Sequence, residues 1–169
     1  MRVLGIDPGT LTMGYGLIEE ADDELRALDY GVLTAPSRMP PAERLHRLYL
    51  KLMQVVTRYK PDEVAVEEPF VAQNVGGNAR SALALGRAEA VAMLVAAGNN
   101  IPIYTYAPAK IKQSVTGNGG SDKEQIQRMV CIHLNLAKTP QPHDAADALA
   151  IALCHIQERR LARLLMKGT

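Results

Sequence analysis

Four acidic residues stand where they could act together on a substrate or hold a cation. Asp7 ends the apolar run VLGID and is followed at once by Pro-Gly-Thr, and Glu67 ends a second apolar run, EVAVE. Asp144 and Asp147 lie three residues apart in HDAADALA, so a helix there places both on one face. An ionised carboxylate at the end of a buried strand is costly unless its charge has a partner. The sequence therefore predicts a partner for Asp7.

The elements that would position these carboxylates alternate between strands and helices. Apolar runs broken by turns predict strands over residues 2–7, 14–19 and 27–33, with the charged loop ADDEL between the second and third, in an antiparallel meander. Helical spacing, prolines and caps predict the remaining elements. They are a helix within 40–61, a strand over 63–67, a helix over 79–97, a strand at 101–106, a short helix after Pro108, a helix from Ser121 with Ser121 and Glu124 as its capping box, and a last helix from His143 to about Met166. This order favours a mixed α/β sheet covered by helices.

A metal site at one edge of this sheet would bring the four carboxylates together. If the first and fourth strands are parallel neighbours, Asp7 and Glu67 emerge at the same carboxyl edge, where open α/β sheets bind ligands. Four carboxylates in one place repel one another, and hard oxygen ligands suit Mg²⁺ or Mn²⁺. Other interpretations remain open. Asp7 is also a common first residue of a turn, Glu68 is an alternative to Glu67, and the two aspartates could merely complement the dipole of the last helix.

Composition and charge limit the classes of protein that fit. The chain has 169 residues, 47% of them apolar, which favours one domain over 1–169 with its last few residues as a flexible tail. We find no signal-peptide pattern and no run of about 18 apolar residues, and we expect a cytoplasmic protein without a membrane partner. The net charge is +1, but residues 101–169 hold nine Lys and Arg against five Asp and Glu. The last third of the chain is therefore the better candidate for contacts with nucleic acid.

Longer motifs surround the four carboxylates. They are GIDPGT at 5–10, VAVEEPF at 64–70, LGRAEA at 85–90, YAPAKIKQSVTGNG at 106–119, SDKEQIQRMV at 121–130 and HDAADALAIALCH at 143–155. In these motifs and in their order the sequence resembles the RuvC family of Holliday-junction resolvases, within the ribonuclease H and retroviral-integrase superfamily. The resemblance covers essentially the whole chain. It implies a ribonuclease H-like mixed five-stranded sheet, three antiparallel meander strands plus two parallel strands, with helices on both faces.

The resemblance also implies a function and a set of site residues. Position by position, Asp7, Glu67, Asp144 and Asp147 match the family's ligands for two Mg²⁺ ions, for which Mn²⁺ may substitute. The implied activity is resolution of four-way junction DNA by paired nicks that leave 5′-phosphate and 3′-hydroxyl ends. The implied partners are a second copy in a homodimer and the RuvA and RuvB branch-migration complex. Rival functions are a junction-binding protein without catalysis and a related nuclease acting on RNA·DNA hybrids.

Further candidates lie beside the acidic residues. Phe70, in the matched VAVEEPF, is either a wedge that stacks on a base or a core residue at a strand end. Lys112 and Lys123 match lysines that hold the scissile strand, and Lys123 falls in the first turn of a helix, where an anion is favoured. The alternative is that both are ordinary surface lysines. His143, next to Asp144, is a candidate for an alternative metal ligand or a group that supports the ligands.

Overall fold

The computed structural model describes residues 1–68 and 79–167, which form five strands and five helices. The strands are β1 (Arg2–Asp7), β2 (Thr12–Ala21), β3 (Glu24–Thr34), β4 (Glu63–Glu67) and β5 (Ile103–Tyr106). The helices are α1 (Pro41–Tyr59), α2 (Ala79–Gly98), α3 (Pro108–Thr116), α4 (Lys123–His133) and α5 (His143–Lys167). Phe70 lies outside the described residues, and so do the last two residues of the predicted tail.

The strands form one mixed sheet in the order β3-β2-β1-β4-β5. The pairs β1–β2 and β2–β3 are antiparallel, whereas β1–β4 and β4–β5 are parallel. This confirms the predicted five-stranded ribonuclease H-like sheet, with a meander of three strands extended by two parallel ones. It also confirms that β1 and β4 are parallel neighbours, on which the predicted meeting of Asp7 and Glu67 depends.

The meander is longer than predicted because its hairpin is tighter. The predicted strands 14–19 and 27–33 extend to Thr12–Ala21 and Glu24–Thr34, so the charged loop between them shrinks to Asp22 and Asp23. Both aspartates have positive φ, 51° and 65°. A two-residue turn of this handedness matches the twist of the paired strands, and aspartate tolerates it better than most residues.

The predicted cap of α4 is wrong by one residue. Asp122, not Ser121, is the N-cap, and its carboxylate accepts a hydrogen bond from the Gln125 backbone while the Gln125 side chain accepts one from the Asp122 backbone. Ser121 is buried, and its hydroxyl hydrogen-bonds instead to the hydroxyl of Thr116. An aspartate directly after a serine competes for the capping position, and the spacing to Gln125 satisfies the same box.

Helices cover both faces of the sheet and bury two separate apolar layers. One core lies between the sheet and α1 and α2, and the other lies between the sheet and α3, α4 and α5. By length and composition alone, one helical stretch among the described residues, 80–98 in α2, is apolar enough to cross a membrane. Arg87 and Glu89 lie within this stretch, so it is not an uninterrupted apolar run and does not meet the sequence criterion used above. Part of this helix, including Ala92 and Val95, is core against the sheet.

Candidate active site

Strand alternation directs both strand carboxylates to the face covered by α5. Successive side chains on a strand point to opposite faces. Leu4 and Ile6 of β1 belong to the core under α1 and α2, whereas Val3 belongs to the core under α5, so Asp7 shares the α5 side. The same argument holds in β4, where Ala65 faces α5. Since Ile6 pairs with Val66 in the parallel register, Asp7 and Glu67 follow side by side at one edge.

Glycines let α5 approach the sheet closely. A Cβ on Gly14 would lie 2.1 Å from the backbone oxygen of Asp144, and one on Gly5 would lie 2.1 Å from that of Ala148. On Gly16 it would lie 2.7 Å from the backbone nitrogen of Leu149. Only glycine fits these three positions, because the helix backbone occupies the space of a side chain. The first turn of α5 is therefore pressed against β1 and β2, next to the end of β1.

This close packing gathers three carboxylates into one cluster. Asp7, Asp144 and Asp147 each offer a carboxylate oxygen, and the three oxygens lie within 4.8 Å of one another. All three residues are partly buried. Glu67 is not in this tight group as the structure describes it, but it lines a cleft of about 210 Å³ together with Asp147. The predicted convergence of the four acidic residues therefore holds, with three close together and Glu67 beside them.

Burial and neighbouring carboxylates raise the pKa of Asp7 in the cluster and of Glu67 beside it. Burial, followed by the charges of Asp147, Glu67 and Asp144, raises the pKa of Asp7 from 3.8 to about 7. Burial and the charge of Asp147 also raise the pKa of Glu67. Burial is the larger cause of both shifts, and the repulsion between neighbouring carboxylates adds to it, so the ionised cluster is costly without a compensating positive charge. Closely spaced carboxylate oxygens with excess negative charge are a donor set suited to a hard divalent cation.

Both predicted lysines lie in the cleft. Lys112 and Lys123 line it with Glu67 and Asp147, and both lower the pKa of Glu67 relative to the effect of burial. The ammonium group of Lys123 pairs with Asp147 at 2.8 Å between Nζ and Oδ2, and this contact raises the pKa of Lys123. Sequence reasoning placed Lys123 in the first turn of α4, which is correct, but did not foresee a carboxylate of the cluster as its partner.

The two alternative candidates, Glu68 and His143, lie outside the acidic cluster. Glu68 is exposed, and burial, followed by the charge of Glu68, raises the pKa of Glu89 on α2. Glu68 therefore lies near α2, which packs on the opposite face of the sheet from α5. His143 is the first residue of α5 and is exposed, and its Nδ1 lies 2.7 Å from the side-chain nitrogen of Gln127 on α4. The structure therefore brings Glu67 to the cleft and engages one ring nitrogen of His143 elsewhere.

Sequence reasoning missed a buried polar network that ties α5 to the parallel strands. His155 is completely buried; its Nε2 contacts the carboxylate of Glu63 and its Nδ1 lies 2.7 Å from the hydroxyl of Tyr106. Arg159 also pairs with Glu63, at 3.1 Å. Burial lowers the pKa of His155. The contacts join α5 to both ends of the parallel pair, since Glu63 begins β4 and Tyr106 ends β5. The sign of this network in the sequence is one histidine, His155, within an otherwise apolar stretch of α5.

The five-stranded mixed sheet with helices on both faces is a ribonuclease H-like fold. The fold is shared with a yeast mitochondrial Holliday junction resolvase, Ydc2, which aligns with a TM-score of 0.64 at 14% identity over 99% of this chain and 86% of that one. Residues 3–155 match the family model described as crossover junction endodeoxyribonuclease RuvC. The chain belongs to the RuvC family.

Similar proteins match over nearly their whole length. A crossover junction endodeoxyribonuclease RuvC of Dehalococcoides mccartyi is 51% identical over 168 residues, which are 99% of this chain and 98% of the relative. A protein of the same description from Chloroflexus aggregans is 52% identical over 155 residues, 92% of each chain. Among solved structures, T. thermophilus RuvC in complex with Holliday junction substrate aligns with a TM-score of 0.87 and 34% identity, covering 96% of both chains.

Proposed function

We propose that this protein resolves four-way DNA junctions by paired, metal-dependent nicks. The observation that carries the proposal is the cluster of Asp7, Asp144 and Asp147 at the carboxyl edge of the parallel strands, with Glu67 beside it. A relative with which this chain shares the fold and a third of its residues was solved with a Holliday junction. The same edge carries two lysines, so one surface offers both a cation site and contacts for a nucleic-acid backbone.

The acidic residues and Lys112 have different parts in the proposed reaction. Asp7, Glu67, Asp144 and Asp147 would hold two Mg²⁺ ions, or Mn²⁺ in their place. Ions held there would supply activation of a water molecule and stabilisation of the departing 3′-oxygen, chemistry that leaves 5′-phosphate and 3′-hydroxyl ends. Lys112 lines the same cleft, where its charge can hold a phosphate of the scissile strand.

In this proposal Lys123 pairs with Asp147 in the absence of a cation and with a DNA phosphate once a cation is bound. Its ammonium pairs with Asp147, and a cation held by Asp147 would repel it. A phosphate of the scissile strand, close to the same cations, would then be the natural acceptor for its hydrogen bonds. Phe70 follows β4 by three residues, and we propose it as the aromatic group that stacks on a base where the arms of the junction meet.

A homodimer would supply the second nick. A junction has two equivalent strands to cut, and a twofold dimer presents two equivalent sites. The exposed side of α2 is a suitable interface: Leu83 and Leu94 are more than 60% exposed, Met93 is 39% exposed, and a Cβ on Gly86 would meet open space. We propose that this side pairs with its copy. We further propose a cytoplasmic protein that acts with the RuvA and RuvB branch-migration complex.

The decisive experiment offers the purified protein a synthetic four-way junction in Mg²⁺, beside a linear duplex and an RNA·DNA hybrid of the same sequence. We expect paired nicks in the junction, with products that can be religated directly, and little cleavage of the controls. The variant Asp147→Asn should bind the junction and leave it uncut. Preferential cleavage of the hybrid would favour a different nuclease activity, and binding without cleavage by the wild-type protein would favour a junction-binding module.

A further inference from the structure

The backbone at Glu67 is bonded to β5, beyond the last residue pair of β1 and β4. The paired residues of β1 and β4 end with Ile6 and Val66. Strands β4 and β5 pair one residue further, where Glu67 lies opposite Tyr106. The backbone N–H of Glu68 also donates to the carbonyl oxygen of Tyr106, at 3.0 Å. Both strand contacts past Val66 are therefore made by Tyr106, the last residue of the edge strand β5.

Tyr106 is held in turn by a buried histidine of α5. Its hydroxyl lies 2.7 Å from Nδ1 of His155, which is completely buried. Nε2 of His155 faces the carboxylate of Glu63, which can only accept, so Nε2 donates and Nδ1 accepts the proton of the tyrosine hydroxyl. The ring of Tyr104 packs on the same imidazole, with the ring centres 4.6 Å apart. His155 is therefore an acceptor fixed in place by its other contacts.

These contacts lie on the same face of the sheet as Glu67. Residues two apart on a strand share a face, so Glu63 and Glu67 of β4 both face α5, as Ala65 does. Tyr106, opposite Glu67, packs against the same core. The hydrogen bonds of His155 thus connect the strand pair that carries Glu67 to the helix that carries the two clustered aspartates of α5.

We propose that Tyr106 and His155 are positioning residues, and that the hydrogen bond between them fixes the end of β5 and so holds Glu67 at the cleft. The proposal rests on the proposed function, since it concerns the metal-dependent reaction. Glu67 lines the cleft with Asp147 but lies beside the tight group of three carboxylates. A displacement of its backbone would therefore take Glu67 away from a cation held by Asp147 and leave that group in place.

Single substitutions separate this hydrogen bond from the packing around it. Tyr106→Phe removes the hydroxyl and keeps the ring. Tyr104→Phe is the matched control, because it removes a hydroxyl from the same face of the same strand while both nitrogens of His155 keep their partners. His155→Asn keeps an acceptor at the position of Nδ1, whereas His155→Leu removes both hydrogen bonds of the ring.

The measurements are the Tm at a series of Mg²⁺ concentrations without DNA, the Mg²⁺ concentration at half-maximal cleavage rate, and the Kd for a synthetic four-way junction in EDTA. Tyr106→Phe and His155→Leu should raise the half-maximal Mg²⁺ concentration about tenfold in both titrations, because loss of a group that supports a metal ligand weakens metal binding by about that factor or more. The Kd in EDTA should stay unchanged. Tyr104→Phe should match the wild-type protein, and His155→Asn should lower the Tm in EDTA but keep the wild-type Mg²⁺ requirement.

Two results would overturn the positioning role of Tyr106. A lower Tm of Tyr106→Phe in EDTA with an unchanged Mg²⁺ requirement would make its hydrogen bond purely structural. A higher Kd in EDTA, again with an unchanged Mg²⁺ requirement, would show that Tyr106 positions Lys112 on α3 instead of Glu67. An equal rise in the Mg²⁺ requirement of His155→Asn and His155→Leu would overturn the role of the bond to Tyr106 and assign the effect to Glu63.

The titration without DNA keeps this proposal separate from the proposed function. A wild-type protein that is stabilised by Mg²⁺ but leaves the junction uncut would overturn the proposed function, while a weaker Mg²⁺ response in Tyr106→Phe would still support the positioning of Glu67. A wild-type protein whose Tm does not respond to Mg²⁺ and that leaves the junction uncut would overturn both.

Discussion

Replacing Asp7 with asparagine tests two properties of the acidic cluster separately, namely the repulsion that destabilises the fold and the proposed binding of cations. Asparagine has nearly the same shape and no charge, so it removes one of the three clustered carboxylates without removing packing. In the protein without divalent cations, burial and the charges of Asp147, Glu67 and Asp144 raise the pKa of Asp7 from 3.8 to about 7. Asp7→Asn should therefore stabilise the protein in EDTA while abolishing cleavage in Mg²⁺, because it removes both a repulsion and a proposed cation ligand.

The sign and size of the effect follow from the raised pKa. A carboxyl group whose folded pKa exceeds its unfolded pKa contributes stability that is fully present below the unfolded value and is lost as pH rises through the folded value. For Asp7 this loss runs from about pH 4 to about pH 7. The difference between 3.8 and about 7 corresponds to at most about 4 kcal/mol. Since water screens the partly buried cluster, we expect Asp7→Asn to gain about 2 kcal/mol at pH 8.

The assay is thermal unfolding in EDTA at several pH values, with exposed Glu24→Gln on β3 as the control. A gain of about 2 kcal/mol corresponds to a rise in Tm of about 4 to 8 °C for a chain of this size, and it should shrink as the pH falls toward 5. Mg²⁺ should raise the Tm of the wild-type protein but not that of Asp7→Asn, because a ligand stabilises only the state that binds it. An Asp7→Asn variant with a lower Tm at pH 8, or with a pH-independent gain, would refute the reasoning.

Four further substitutions test other parts of the site. Lys112→Ala and Lys123→Ala should each weaken junction binding and reduce the steepness of its salt dependence by about 0.9 per lost phosphate contact. The control Lys51→Ala, on the opposite face of the sheet, should change neither. Unaltered salt dependence in the first two variants would show that Lys112 and Lys123 are ordinary surface lysines. Gly14→Ala should lower the free energy of unfolding by about 1 to 3 kcal/mol and slow cleavage, because its Cβ meets the backbone of α5 at 2.1 Å; wild-type Tm and rate would show that α5 can move away at little cost. Phe70→Ala should slow cleavage of the junction, since stacking contributes about 1 to 3 kcal/mol per base, and an unchanged rate with a lower Tm would place Phe70 in the core.

The strand carboxylates could be predicted because their positions depend on local rules. Asp7 and Glu67 each end a short apolar run, and alternation along a strand decides which face a residue shares. Parallel neighbours then bring two strand ends to one edge, and the structure pairs β1 with β4 as that argument requires. The same rules distinguish Glu67 from Glu68, since adjacent residues on a strand face opposite sides. Asp144 and Asp147 follow from helical spacing in the same way.

The pairing of Lys123 with the acidic cluster could not be predicted, because it depends on how α4 and α5 pack against each other. Lys123 and Asp147 are 24 residues apart, and their contact requires α4 to lie across the first turn of α5. That arrangement rests on α5 lying close to the sheet, which Gly14 and Gly16 permit. Two glycines separated by one residue on a strand face the same helix, and the sequence analysis drew nothing from this pattern. Helix spacing alone therefore predicts Asp144 and Asp147 as candidate ligands, whereas the pairing of Lys123 with Asp147 can be recognised only once α4 is packed against α5.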